Sequence, residues 1–231
     1  MEHPISVGEM AQRYRQCTAA SVYDTLDALG LPNQCLSLDI KPLRDDMRVA
    51  GPAFTVYGAR EPRAEADLAQ AAKFEGFGLF KAMFPGCVVV VNAEKDEQTG
   101  HWGEMMSLTA KRHGATGVVV DGGTRDRAGL LRIPDWPVLV RYTTPIESLH
   151  RWRAEDFMVP IYLSGTLTRL VRVDPGDWIV GDCDGVLVVP QGVAYDVLLK
   201  LEELEQKEEG SRRELAKGVP IEEVFARYRR L

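Results

Sequence analysis

The chain has 231 residues, enough for one large domain or a domain with an appendage, and about 70–75% of the unfolded surface of a chain this long can be buried without a disulfide or metal. Hydrophobic content of 45% and charged content of 27% are ordinary for a soluble globular protein and exclude a fibrous or low-complexity chain. Lys and Arg number 28 against 34 Asp and Glu, a net charge of −6, which argues against nucleic acid and anionic membrane surfaces as partners because neither finds a basic face.

The segment Met1-Glu2-His3-Pro4 lacks the basic-then-apolar order of a signal peptide, and no apolar run approaches the roughly 20 residues that span a bilayer. Ser6 is positioned to cap a first helix and Thr18 a second, which Gly30 and Pro32 stop. Residues 50–58 predict a strand. Residues 64–82 have helical spacing, with Leu68, Ala72, Phe74 and Phe77 at apolar positions. Cys87 heads the run Val88-Val89-Val90-Val91, which lacks polar alternation and so suits a strand buried on both faces. The cysteines Cys17, Cys35, Cys87 and Cys183 form no C-x-x-C pair, which disfavours a zinc ribbon or redox motif and fits a reduced, cytoplasmic compartment with Cys87 a buried thiol.

A polar loop is expected from Asn92 to Trp102, then a helix opened by Gly103 and ended by Gly114. Val118-Val119-Val120 predicts a second buried strand, leading into Asp121-Gly122-Gly123-Thr124-Arg125-Asp126. A short helix and a strand at Val138-Leu139-Val140 follow. Strand, helix, strand at this spacing is a parallel crossover. It brings Gly103 and the Arg125-Asp126 loop to the same sheet edge, where open α/β sheets hold ligands. Downstream, 175–181 and 185–190 predict a hairpin turning at Asp182-Cys183-Asp184-Gly185. A long helix with the stripe Val193, Val197, Leu201, Leu204 comes next, without an apolar residue from Glu205 to Glu214, so that part is solvated or laid along a neighbouring subunit. Ile221, Val224, Phe225 and Tyr228 make a last amphipathic helix. The boundaries are one domain at 1–192 and a C-terminal helical arm at 193–231.

At the shared edge the first turn, Gly103-Glu104-Met105-Met106, offers free amides and the positive end of a helix dipole to an anion, and Gly103 leaves the backbone open to close approach. Arg125 supplies a planar fork for a carboxylate or a developing oxyanion. Asp126 could hold a hard divalent cation, with Glu104 as a second carboxylate. Simpler roles compete. An Arg-Asp pair after a Gly-rich turn is commonly a helix cap, and the dipole alone favours Glu104. Met105 and Met106 suit the core, while packing suits His101 and Trp102. Asp182-x-Asp184-Gly185 is better explained as a turn than as a calcium loop. Nucleotide-binding loops, a serine-nucleophile elbow and zinc-ligand histidine spacing are absent from the sequence.

Glu104, twenty intervening residues, then Arg125-Asp126 resembles the acidic-X20-Arg-Asp motif of class II pyruvate aldolases of the RraA-like family. Ala50-Gly51-Pro52-Ala53, Val118 to Arg125, and Pro175-Gly176-Asp177 through Asp184-Gly185-Val186 are similar to that family as well. The family includes 4-hydroxy-4-methyl-2-oxoglutarate aldolase, which also decarboxylates oxaloacetate, and the regulator of ribonuclease activity A. The resemblance implies a layered α/β/β/α sandwich with a swivelling-domain-like β core, assembled as trimers or dimers of trimers. It implies that the backbone of Gly103, Glu104, Met105 and Met106 and the side chain of Arg125 bind a pyruvyl group, that Asp126 holds Mg²⁺ or Mn²⁺, and that Glu104 binds metal-linked water. It also implies a carboxylate from a neighbour's arm, with Glu205, Glu208 and Glu209 the candidates. Asp126 and the long arm favour the enzyme over the regulator, which acts by protein contact. Menaquinone methylation, another activity attached to the family, finds no glycine-rich methyl-donor loop here.

Overall fold

The computed structural model describes residues 4–61, 77–94 and 96–228. The expected helix over 64–82 therefore lies mostly outside the described residues, which retain only its end, α3 (Phe77–Lys81). Before it come α1 (Val7–Arg15) and α2 (Ala19–Ala28), whose caps Ser6 and Thr18 accept from the backbone N–H groups of Glu9 and Ser21. Strands β1 (Lys41–Pro42), β2 (Val49–Arg60), β3 (Val88–Asn92), β4 (Gly100–Trp102), β5 (Gly117–Thr124) and β6 (Val138–Thr143) surround α4 (Glu104–Arg112) and α5 (Arg127–Leu130). Strands β7 (Trp152–Phe157), β8 (Ile161–Ser164), β9 (Leu170–Val173), β10 (Trp178–Gly181) and β11 (Val186–Val189) precede α6 (Ala194–Ala216) and α7 (Ile221–Tyr228).

The sheet runs β1-β6-β5-β3-β2-β10-β11, with β4 added to β5 and β7 to β2. Strands β2, β3, β5 and β6 are parallel, so their C-terminal ends share one edge. The valine run of β3 feeds two cores in strict alternation. Val89 and Val91 join Phe54, Val118 and Val120 in a core also containing α3, α4 and α5 residues. Val88 and Val90 join Val119, Ile179, Val188 and the β8–β9 hairpin residues Ile161, Leu163, Val171 and Val173. The hairpin thus fills one side of the sheet while helices cover the other, an arrangement that requires apolar residues on both faces. Farther along the helix-covered face, α1, α2 and α6 bury Ala50, Trp178, Val180 and Val189. The structure is the expected α/β class, with a mixed sheet and C-terminal helices.

The predicted loop at 92–102 contains β4, which pairs Gly100 with Gly123 and Trp102 with Thr124. Strands β7 to β9 were not anticipated. The 181–186 turn is as expected: Gly181 pairs with Val186, and Asp182 N–H donates to the Gly185 carbonyl. Val197, Leu198 and Leu201 of α6 pack with Met10, Tyr14, Val22 and Leu26 of the same chain. Its apolar-free stretch is covered in part by α7, where Arg227 and Tyr228 bond the Glu214 carboxylate and Ser211 is buried. Among the described residues no helix is long and apolar enough to cross a membrane.

Candidate active site

The β4–β5 pairing builds the site. Arg125 N–H donates to the Trp102 carbonyl at 3.0 Å, which sets Arg125 beside Gly103. Thr124 Oγ1 donates to that carbonyl at 2.6 Å, and the Trp102 indole donates to Ser107 Oγ, fixing the start of α4. Gly103 is the N-cap, and no side chain caps the first turn. These amides are therefore available to an anion.

Asp126 turns back over this glycine. Its backbone is left-handed, at φ 64° and ψ 34°, an uncommon conformation for a residue with a Cβ. A Cβ on Gly103 would stand 3.0 Å from Asp126 Oδ2 and 3.4 Å from Arg125 Cγ. Glu104 follows Gly103 at the first helical position of α4. Its carboxylate lies on Gly129, where an added Cβ would meet Oε2 at 2.1 Å. Arg125 Nε faces Asp126 Oδ2 at 3.4 Å, and Arg132 lies 3.9 Å from Glu104. A cleft of about 290 Å³ opens beside them, lined by Arg125, Asp126, Arg127, Thr143, Thr144 and Pro145.

The expected residues Gly103, Glu104, Arg125 and Asp126 thus converge at one edge. Asp126 Oδ2 beside Gly103 and the Glu104 carboxylate beside Gly129 are hard oxygen donors, the type that suits a divalent cation such as Mg²⁺ or Mn²⁺. Met105 departs from the core assignment: it is 72% exposed, because α4 turns Ser107 and Ala110 inward. Met106 packs against the core. The arm candidates are engaged within their own chain. Glu205 accepts from Ser21, and Arg212 lies 3.6, 3.0 and 3.4 Å from Glu205, Glu208 and Glu209.

Two features were not read from the sequence as parts of the site. Glu147 stands 3.5 Å from Arg125 Nη1. Behind the site, buried His101 accepts the Gly123 N–H at Nδ1 (3.1 Å) and pairs through Nε2 with Asp96 Oδ2 (2.9 Å), so Nε2 carries the proton. Burial holds the imidazole pKa below its ordinary value despite the Asp96 carboxylate. Asp182, Cys183 and Asp184 also cluster, but the two Asp182 oxygens accept from Ala19 N–H and Asp184 N–H, both at 2.9 Å, as a cap and turn do.

The fold and this edge define an α/β protein in which Gly103, Arg125 and Asp126 meet at the C-terminal ends of parallel strands. The chain belongs to the RraA-like family, described as Aldolase/RraA, which matches residues 19–188. It is 34% identical over 211 residues, 90% of this chain and 89% of the other, to a Halalkalibacterium halodurans protein named "Putative 4-hydroxy-4-methyl-2-oxoglutarate aldolase". A crystal structure described as "novel cellulases from microbes associated with the gut ecosystem" superposes with a TM-score of 0.80 at 33% identity, covering 91% of this chain and 90% of that one. Streptomyces coelicolor RraAS2, described as an unusual member of the RNase ES inhibitor RraA family, gives 0.75 at 29% identity, covering 89% and 98%.

Proposed function

We propose that the protein is a divalent-metal-dependent carbon–carbon lyase that cleaves 4-hydroxy-2-oxo acids, of the 4-hydroxy-4-methyl-2-oxoglutarate type, to pyruvate and decarboxylates oxaloacetate at the same site. The observation carrying this reading is the position of the Asp126 carboxylate against Gly103, beside the Arg125 guanidinium and the uncapped first turn of α4. Asp126 would hold the cation, with Glu104 beside it. When bound, Mg²⁺ or Mn²⁺ would supply Lewis-acid polarisation of the 2-oxo acid.

The chain's own groups do the rest. The amides from Gly103 to Met106 bind the pyruvyl carboxylate. In retro-aldol cleavage the 4-hydroxyl loses its proton, the C3–C4 bond breaks, and its electron pair moves toward the keto oxygen. Arg125 donates to that oxygen as charge develops. Glu104, at the rim, takes the hydroxyl proton directly or through water. Loss of CO₂ from oxaloacetate needs the same electron sink and no base. A neighbouring subunit's arm completing the site, and a trimer or hexamer carrying it, belong to the same proposal.

Pyruvate release from oxaloacetate and from 4-hydroxy-2-oxo acids, measured with Mg²⁺ and with excess EDTA, tests this reading. Arg125→Ala is expected to lower kcat/KM by about 10²–10³, the scale of a lost oxyanion donor. No metal-dependent turnover on any 2-oxo acid would overturn the enzyme reading and favour a regulator acting by protein contact.

A further inference from the structure

Two arginines line the cleft beside Asp126, and the chain supplies carboxylates to one of them. Arg125 Nε faces Asp126 Oδ2 at 3.4 Å, and its Nη1 faces Glu147 at 3.5 Å. Arg127, two residues on, lines the same cleft beyond the left-handed turn at Asp126. Its Nη2 donates to the Leu43 carbonyl at 2.9 Å, and among the described residues no carboxylate pairs with it. A neutral acceptor thus pins one edge of the guanidinium and leaves its charge uncompensated. The β6 side of the cleft is fixed as well. Thr144 N–H donates to the Thr124 carbonyl at 3.0 Å, Thr144 Oγ1 donates to the Gln98 carbonyl, and Gly100 N–H donates to the Ile146 carbonyl at 2.9 Å. Thr143 lines the cleft on this side and is exposed, and among the described residues its hydroxyl has no partner.

We infer that Arg127 is a specificity-determining residue that receives the second carboxylate of the substrate, the one remote from the keto group, with the Thr143 hydroxyl as a further donor. This rests on the lyase reading above and names the groups that read the substrate's tail. A dicarboxylic 2-oxo acid brings two negative charges to the site. The carboxylate of the pyruvyl end has the α4 amides and Arg125 to receive it. The other needs a cation along the same cleft, and Arg127 is the arginine there that no carboxylate of the described chain engages. Arg132 lies 3.9 Å from Glu104 and does not line the cleft. A volume of about 290 Å³ is at the low end for a small-ligand pocket, so a tail held at Arg127 stays close to the pyruvyl end. A fork already pinned on one edge favours a carboxylate over a methyl group at the same place by about tenfold to a hundredfold, the range of a charge-assisted hydrogen bond.

The test compares two 4-hydroxy-2-oxo acids as substrates of the Mg²⁺-loaded protein, one ending in a carboxylate and one in a methyl group. Calorimetric binding of 2-oxoglutarate and 2-oxopentanoate, which lack the 4-hydroxyl, gives the same comparison without turnover. In Arg127→Gln the carboxylate-to-methyl ratio of kcat/KM is expected to fall about tenfold to a hundredfold, mainly through KM, and the binding ratio should fall with it. Both falls should shrink in 1 M salt. Arg127→Lys, which keeps the charge without the fork, should retain part of the preference, and Thr143→Val should lower it about twofold to tenfold. Thermal melts confirm that each variant is folded, and the lysine and valine variants carry the test if the glutamine variant is not. Unchanged ratios in folded variants overturn the inference and leave the lyase reading intact. Absence of turnover in the unsubstituted protein, with a dicarboxylate preference in binding that Arg127→Gln abolishes, removes the lyase reading and keeps Arg127 as the carboxylate receptor.

Discussion

Gly129→Ala separates the position of Glu104 from the stability of the fold. Gly129 lies inside α5, and a Cβ there would meet Glu104 Oε2 at 2.1 Å, Cδ at 2.3 Å and Oε1 at 2.7 Å. Ordinary contact begins near 3.4 Å, so the carboxylate must move by about 1.3 Å. The displaced atoms are the end of a flexible side chain, which can swing outward at little energetic cost. Alanine also suits a helix better than glycine by up to about 1 kcal/mol. The variant should therefore melt at or slightly above the unsubstituted protein, by no more than about 2–4 °C. Misplacing a reacting group by about 1 Å costs on the order of 10²-fold, so kcat/KM for retro-aldol cleavage should fall on that scale. Glu104→Gln should fall comparably, and the double variant little further, because both remove the same group. Thermal melts and coupled pyruvate detection read the two effects separately. Full activity in Gly129→Ala would refute the role given to Glu104, and a large loss of stability would refute the account of its freedom to move.

Other outcomes follow from the same geometry. Asp126→Gly relieves a left-handed residue, so thermal stability should rise by about 1–2 kcal/mol while Mg²⁺ binding, followed by calorimetry, is lost. A fall in stability would mean that the carboxylate matters more to the fold than to the cation. His101 has a folded pKa below its unfolded value near 6.5, so its contribution is complete above pH 6.5 and is lost as pH falls from there through the folded value. The cause is direct: protonation places an N–H at Nδ1, against the Gly123 N–H. Denaturant midpoints should drop between pH 7.5 and 5.5 in the unsubstituted protein and drop less in His101→Gln. Equal slopes would show that His101 is not the group responsible.

Chain order alone placed Gly103, Glu104, Arg125 and Asp126 at one edge, because buried valine runs mark β3 and β5 and parallel pairing leaves their ends together. The remaining strands left weaker signals. β4 has three residues, one of them a histidine buried by an aspartate partner, so its composition resembled a loop. β7 is charged through its middle because it pairs with the end of β2 while most of its side chains stay exposed. The alternation of β8 and β9 spans only four residues each. Glu147 had no sequence signal. It reaches Arg125 because the Ile146 carbonyl holds Gly100, a tertiary contact without periodicity. Met105 was assigned to the core from its type, although the first turn of a helix whose inward residues are Ser107 and Ala110 leaves that position outside.

The tie between Gly100 and Ile146 has an evolutionary consequence. It anchors the segment around Ile146 to β4 rather than to the short helix that carries Asp126, while Glu147 and Pro145 stay beside Arg125. Substitutions from Ser148 to His150 are therefore expected to leave the neighbours of Arg125 in place, whereas those at Pro145 or Glu147 reach it directly.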